Sequence, residues 1–167
     1  METTKNKTTL LIMAAGMGSR FGSLKQLALL GPHKKTLLHY SIYDAVHAGF
    51  DKIVFIIRRS FENEFKEAVG KYAESLVETV YCFQEMDQLP GNLPPIQREK
   101  PWGTAHAIWA AKDHIHEPFI AINADDFYGR DAFVKMHDFV ASNTDERCFS
   151  LAGYRLAATL SENGTVS

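Results

Sequence analysis

The most apolar stretches of this chain are short and almost unbroken: Leu10–Ala14, Ile53–Ile57, Thr79–Phe83, Phe119–Asn123 and Cys148–Tyr154. A strand that is wet on one face alternates apolar and polar residues; one covered on both faces does not. These runs therefore predict parallel strands buried between layers of helix. Helical patterns fill the gaps. Thr36–Ala48 carries Leu38, Ile42, Ala45 and Val46 on one stripe, and Gly49 fits the left-handed position that closes a helix. Ser60 suits the N-cap of a second helix, with Phe61, Phe65, Ala68 and Tyr72 on its buried face. Thr104–Lys112 and Arg130–Ala141 follow, the latter with Phe133, Met136 and Val140. A β-α-β-α-β order of this kind predicts an α/β fold with a Rossmann-like, doubly wound, mainly parallel sheet. Ligands of such sheets gather beyond the carboxyl ends of the strands.

At 167 residues the chain is long enough for one domain with a full core. Its net charge of −2 argues against a nucleic-acid or anionic-membrane partner. Cys82 and Cys148 lie far apart in apolar runs and read as buried, reduced thiols. The first apolar run is too short to span a membrane and leads into Gly-Met-Gly-Ser-Arg rather than a cleavage site, so a cytoplasmic protein is expected.

Two segments interrupt the rhythm. Residues 85–101 hold Pro90, Gly91, Pro94, Pro95 and Pro101, and read as a long loop. Ser161-Glu162-Asn163-Gly164-Thr165 is a hairpin turn signal two residues from the last residue, so a domain truncated at its C-terminus is expected. An unfinished hairpin would leave a strand edge uncovered, which favours a homo-oligomer.

The chemistry-bearing residues fall where the fold predicts a ligand. After the first strand come Ala14, Ala15, Gly16, Gly18 and Ser19, then Arg20 and Lys25. Small residues let backbone amides close on an anion, and the two cations add charge the amides lack. The design is that of a loop around a nucleoside phosphate. Asp125 and Asp126 follow the strand Phe119–Asn123. Hard oxygen donors there suit Mg²⁺, which takes one or two carboxylates plus substrate phosphates; the structural alternative is a helix cap and a solvated side chain. Gln84 follows Thr79–Phe83, and its amide matches the N3–H and O4 edge of uracil or thymine. Gly103 permits close approach to a flat ring, and Thr104 can cap the next helix. His106, His114 and His116 read as surface or turn residues, because no Cys/His cluster accompanies them.

With these residues placed, the chain resembles the sugar-phosphate nucleotidyltransferases, members of the nucleotide-diphospho-sugar transferase superfamily with a GT-A-like fold. The resemblance rests on Gly16-Met17-Gly18-Ser19-Arg20 with Lys25, on Thr36–Ile42 and Ala48-Gly49-Phe50, on Gln84 with Pro101–Ala105, and on Asn123–Gly129. It implies that residues 1–167 form the nucleotide-binding portion of one domain, with residues 1–8 as a tail. The family's later elements, a sugar-phosphate lysine and a second metal-binding aspartate, are absent, so the sugar-binding half is expected to be missing. The short Arg20-to-Lys25 spacing is nearer the cytidylyl- and guanylyl-transferring members, which leaves base and acceptor open.

The implied reaction is attack of a sugar-1-phosphate oxygen on the α-phosphorus of an NTP, with Mg²⁺ on Asp125 and release of pyrophosphate. Arg20 and Lys25 would hold the β and γ phosphates. The fragment alone is expected to be weak or inactive. Three alternatives stand beside this reading. One is a cytidylyl- or guanylyltransferase acting on a non-sugar phosphate, and another is a non-catalytic nucleotide-binding fragment. The third is an NADP-binding Rossmann module, with Arg58-Arg59 meeting a 2′-phosphate.

Overall fold

The computed structural model describes residues 7–16, 29–30, 35–91, 102–143 and 145–159. The chain opens with strand β1 (Thr9–Met13). A two-residue ribbon, β2 (Leu29–Leu30) antiparallel to β3 (Lys35–Thr36), leads into helix α1 (Leu37–Ala48). Next come strand β4 (Lys52–Ile57) and a 3₁₀ turn at Arg59–Phe61. Helices α2 (Glu62–Phe65) and α3 (Lys71–Glu74) are joined by a π turn at Lys66–Gly70. Strand β5 (Glu78–Phe83), helix α4 (Thr104–Trp109), strand β6 (Phe119–Asn123), helix α5 (Arg130–Ser142) and a short α6 (Leu156–Thr159) complete the order.

Four strands form one parallel sheet in the order β5-β4-β1-β6. The chain steps outward from β1 to β4 to β5, then returns across the sheet to place β6 on the free side of β1. This reversal opens a crevice beyond the carboxyl ends of β1 and β6. The α/β, Rossmann-like, parallel sheet expected from the apolar runs is the architecture observed.

Successive side chains of β1 and β4 point to opposite faces, and both faces are covered. Leu10, Ile12, Ile53, Phe55 and Ile57 pack with Leu38, Ile42 and Ala45 of α1, with Phe65, Val69 and Ala73, and with Phe133 and Val140 of α5. Leu11, Val54 and Ile56 meet Cys82, Ala107 and Ala111 beneath α4. This two-sided burial is why the strands read as continuous apolar runs. Burial pushes the Cys82 thiol up to about 11, which keeps it protonated as an inert core group.

Helix α1 begins as its sequence suggests. Thr36 is the N-cap, and its backbone N–H donates to His39 Nδ1 at 3.3 Å. Burial, then the Lys35 charge, lowers the His39 pKa and keeps that nitrogen an acceptor. Gly49 closes the helix at φ 111°, and its N–H reaches the carbonyls of Ala45 and Val46.

The second helical region departs from expectation. Ser60 lies in the 3₁₀ turn instead of capping a helix, and the deepest residues are Phe65, Val69 and Ala73. Phe61, Ala68 and Tyr72 are only half-buried against the core. The π turn ends at Gly70, where an added Cβ would run into the Tyr81 hydroxyl. That hydroxyl donates to Glu74 at 2.7 Å, while Lys66 Nζ lies 4.6 Å from the Tyr81 ring centroid. Helix and strand approach this closely because residue 70 has no side chain.

The expected strand at Cys148–Tyr154 is not formed. Cys148 is exposed rather than buried, and Phe149 and Leu151 are 90% and 98% exposed. Apolar composition states that a segment needs cover; it does not supply a neighbour, and no described strand offers this one a ladder. The hairpin signal at 161–165 and most of the 85–101 loop lie outside the described residues.

At the amino ends of the strands, a polar cluster ties three of them together. Lys52 Nζ donates to Glu117 Oε1 at 2.9 Å and to the His114 carbonyl at 2.5 Å, and Thr9 Oγ1 donates to the same Glu117 oxygen. Burial works against the charged carboxylate. Hydrogen bonds from Thr9, Lys52 and the His116 amide, with the Lys52 charge, outweigh it and hold the Glu117 pKa at about 2.

A carboxyl held below its ordinary 4.5 stabilises the fold fully above that pH and loses the effect as pH falls toward 2. Urea midpoints measured through that window will therefore drop in the native chain, and Glu117→Gln will flatten the drop. Lys52→Met, which strands the carboxylate, is expected to cost about 3 kcal/mol or more at neutral pH. Gly70→Ala sets a helix-propensity gain of about 1 kcal/mol against a steric cost of about 1–3 kcal/mol. It will destabilise the native chain but turn neutral or stabilising in a Tyr81→Phe background, measured as a double-mutant cycle.

Candidate functional site

All four parallel strands deliver a polar or glycine-bearing segment to the same edge of the sheet. Past β1, Ala14 and Ala15 are buried and the Ala14 N–H continues the ladder to the Ile56 carbonyl at 2.8 Å, so Gly16 emerges from a fixed base. Past β4, Arg58 donates from Nε to the Ala15 carbonyl at 2.9 Å. Past β5, the Gln84 N–H bonds the Ile57 carbonyl at 3.0 Å, and the residue is buried. Past β6, the Ala124 N–H bonds the Met13 carbonyl at 3.1 Å, and Asp125 and Asp126 stand exposed.

Gln84 meets the start of α4. Its side-chain nitrogen donates to the Trp102 carbonyl at 2.8 Å, lies 3.5 Å from the Gly103 carbonyl, and is 3.2 Å from His106 Nδ1. Two carbonyls identify the facing group as the amide NH₂, so His106 Nδ1 is an acceptor. His106 Nε2 then carries the hydrogen and donates to the Gln88 carbonyl at 2.5 Å. Trp102 Nε1 donates to the Met86 carbonyl at 3.0 Å. The result is a clamp between β5, the 85–91 loop and α4. Gly103, in extended conformation, is the N-cap of α4, and Thr104 is its first helical residue rather than its cap.

The aspartates differ. Asp126 accepts from Asn123 Nδ2 at 2.8 Å and from the Tyr128 hydroxyl at 3.4 Å. That hydroxyl also accepts from the Asn123 N–H at 2.9 Å. Burial, with the Asp126 charge as a further cause, raises the Tyr128 pKa and keeps its proton in place. Asp126 thus anchors the turn that presents Asp125. Among the described residues no three His, Cys, Asp or Glu side chains gather as a metal cluster.

Ala14, Ala15, Gly16, Gln84, Gly103, Thr104, Asp125 and Asp126 therefore share one edge of the sheet, while Gly18, Ser19, Arg20 and Lys25 lie outside the described residues. Sequence reasoning missed the inward turn of Arg58 and the bridging of His106. The His106 partners stand 22 and 18 positions away, and no local spacing signals them.

The sequence profile of the nucleotidyl transferases matches residues 9–165. The chain belongs to the nucleotidyl transferase family. It is 28% identical over 130 residues to the UTP–glucose-1-phosphate uridylyltransferase of Bacillus subtilis, covering 70% of this chain and 43% of that protein. It is 30% identical over 107 residues to the bifunctional protein GlmU of Staphylococcus haemolyticus, covering 64% of this chain and 19% of GlmU. A solved UDP-glucose pyrophosphorylase, in complex with UDP-glucose, shares the fold with a TM-score of 0.52 and 19% identity, over 80% of this chain and 53% of that one. The chain thus spans less than half the length of these two relatives and about half of that solved structure. Among the described residues no helix is long and apolar enough to cross a membrane.

The clamp yields a structural prediction. His106→Leu removes the partners of Gln84 and Gln88 together. At about 1 kcal/mol per hydrogen bond, amide exchange in residues 85–91 should quicken about fivefold or more. Hydrogen exchange read by mass spectrometry will report it, with the β4 and β1 amides unchanged.

Proposed function

We propose that this chain binds a nucleoside triphosphate at the carboxyl edge of its sheet for transfer of the nucleotidyl group to a sugar-1-phosphate, releasing pyrophosphate. The observation that carries the reading is the meeting, at one sheet edge of a nucleotidyl transferase chain, of the Ala14–Gly16 turn, the Gln84 amide and the Asp125-Asp126 pair. The Ala14 N–H is committed to the ladder, so the amides that follow it, through Ser19, are assigned to the phosphates, and Arg20 and Lys25 to neutralising the β and γ groups and the leaving pyrophosphate. Gly103 and Thr104 flank the base. The NH₂ of Gln84 is committed to the Trp102 carbonyl, so its side-chain oxygen is the group that reads a base N–H.

The acceptor needs no general base. A phosphate monoester, with a second pKa near ~6, is largely dianionic at neutral pH. What remains is to align two anions and offset their charge. The hard oxygen donors of Asp125 and Asp126 fit Mg²⁺, which completes its shell with phosphates and water. Asp125 is assigned as the principal ligand because it is the closer match to the family's metal-binding aspartate, while Asp126 accepts from Asn123 and Tyr128 in the same turn. When bound, the ion supplies charge neutralisation at the phosphate oxygens.

Thermal shift with UTP, dTTP, CTP, GTP, ATP and NADP, each with and without Mg²⁺, tests the reading. At least one triphosphate should stabilise the chain in a Mg²⁺-dependent way, by about 2.7 kcal/mol at a hundred times Kd. Asp125→Asn should abolish the Mg²⁺-dependent part, and Asp126→Asn should only weaken it. Stabilisation by NADP and by no triphosphate would overturn the proposal.

A further inference from the structure

Arg58 leaves β4 in an extended conformation and turns toward β1, where its Nε holds the Ala15 carbonyl at 2.9 Å. Its Nη2 is buried and has no hydrogen-bond partner among the described residues. Arg59 turns to different partners, lying 4.0 Å from the Phe83 ring centroid and 3.8 Å from Glu85 Oε1. The two adjacent cations thus diverge, Arg58 toward β1 and Arg59 toward Phe83 and Glu85.

The Ala15 oxygen and the Gly16 N–H belong to one planar trans peptide and point to opposite sides of it. Holding the oxygen on Arg58 therefore sets the Gly16 N–H on the far side, away from the guanidinium. A cation on the carbonyl also polarises the peptide and strengthens that N–H as a donor. Burying a charged donor without a partner is costly, and an uncharged side chain would avoid the cost. What the guanidinium supplies, and an apolar side chain of similar length cannot, is a fixed peptide orientation together with positive charge on the carbonyl side of the Ala15–Gly16 peptide.

We propose that Arg58 is a positioning residue for the polyphosphate, acting through the Ala15–Gly16 peptide to aim the first amide of the loop at the anion. The inference rests on the nucleotide-binding reading above and deepens it. It assigns Arg58 to the phosphates and not to the base or ribose.

The test compares three probes on the whole chain: the triphosphate that stabilises it most, the matching nucleoside, and inorganic tripolyphosphate. Dissociation constants come from NMR titration of the native chain, Arg58→Met and Arg58→Lys. Arg58→Met should weaken the triphosphate and tripolyphosphate about tenfold or more, as expected for a charge-assisted hydrogen bond, and leave the nucleoside unchanged. Arg58→Lys, which keeps a cation but not the fork, should recover part of the loss. Melting of ligand-free Arg58→Met reports the balance between losing the Ala15 hydrogen bond and removing the unpartnered Nη2, and the affinity ratios are read whichever way it moves. Equal weakening of all three probes would mean a merely structural role and would overturn the inference. Unchanged triphosphate affinity in Arg58→Met would overturn the inference alone. Failure of the native chain to bind either phosphate probe would overturn the nucleotide reading, and this inference with it. Should Arg58→Met not fold, the ratio of phosphate to nucleoside affinity in Arg58→Lys carries the same decision.

Discussion

The structure depends on the double ladder of β1. Thr9–Met13 pairs with Lys52–Ile56 on one side and Phe119–Asn123 on the other, all parallel. A buried backbone must satisfy every N–H and C=O internally, and a central parallel strand does so through both edges at once. Leu10, Leu11 and Ile12 are fully buried as a consequence, with one face closed by α1 and α5 and the other by α4. Everything polar is forced to the strand ends.

The two ends are used differently. At the amino end, charge is locked inward: Lys52, Glu117 and Thr9 satisfy one another and join three strands. At the carboxyl end the ladders run one residue past the strands, through the Ala14, Gln84 and Ala124 amides, before the chain turns away. Each turn therefore starts from a position held by the neighbouring strand. Rigid strand ends are what a site needs to hold the groups that follow them in a set geometry.

Much of this was legible in the residues. Unbroken apolar runs located β1, β4, β5 and β6, and the Phe119–Asn123 bounds agree with the observed strand. Leu38, Ile42 and Ala45 marked the buried stripe of α1, and Gly49 its left-handed stop. Where reading by pattern failed, a tertiary neighbour was the deciding factor. Cys148–Tyr154 has strand composition, but no described partner pairs with it. In the second helical region Phe65 is buried as expected and Phe61, Ala68 and Tyr72 pack partly buried against the core, but across the π turn at Lys66–Gly70 the deepest positions are Val69 and Ala73, which the pattern did not single out.

The sequence by itself determined the fold class, the order of elements and the strand ends at which Gly16, Gln84 and Asp125 stand. These are local properties, since hydrophobic periodicity and turn chemistry act over a few neighbouring residues. Only the tertiary structure decided which strands adjoin, that Arg58 reaches the Ala15 carbonyl, and that the Gln84 NH₂ is committed to Trp102. A buried donor takes whichever acceptor packing brings within about 3 Å, and in this chain those acceptors lie 43 and 18 residues away. No periodicity in a linear chain encodes a choice made at that distance.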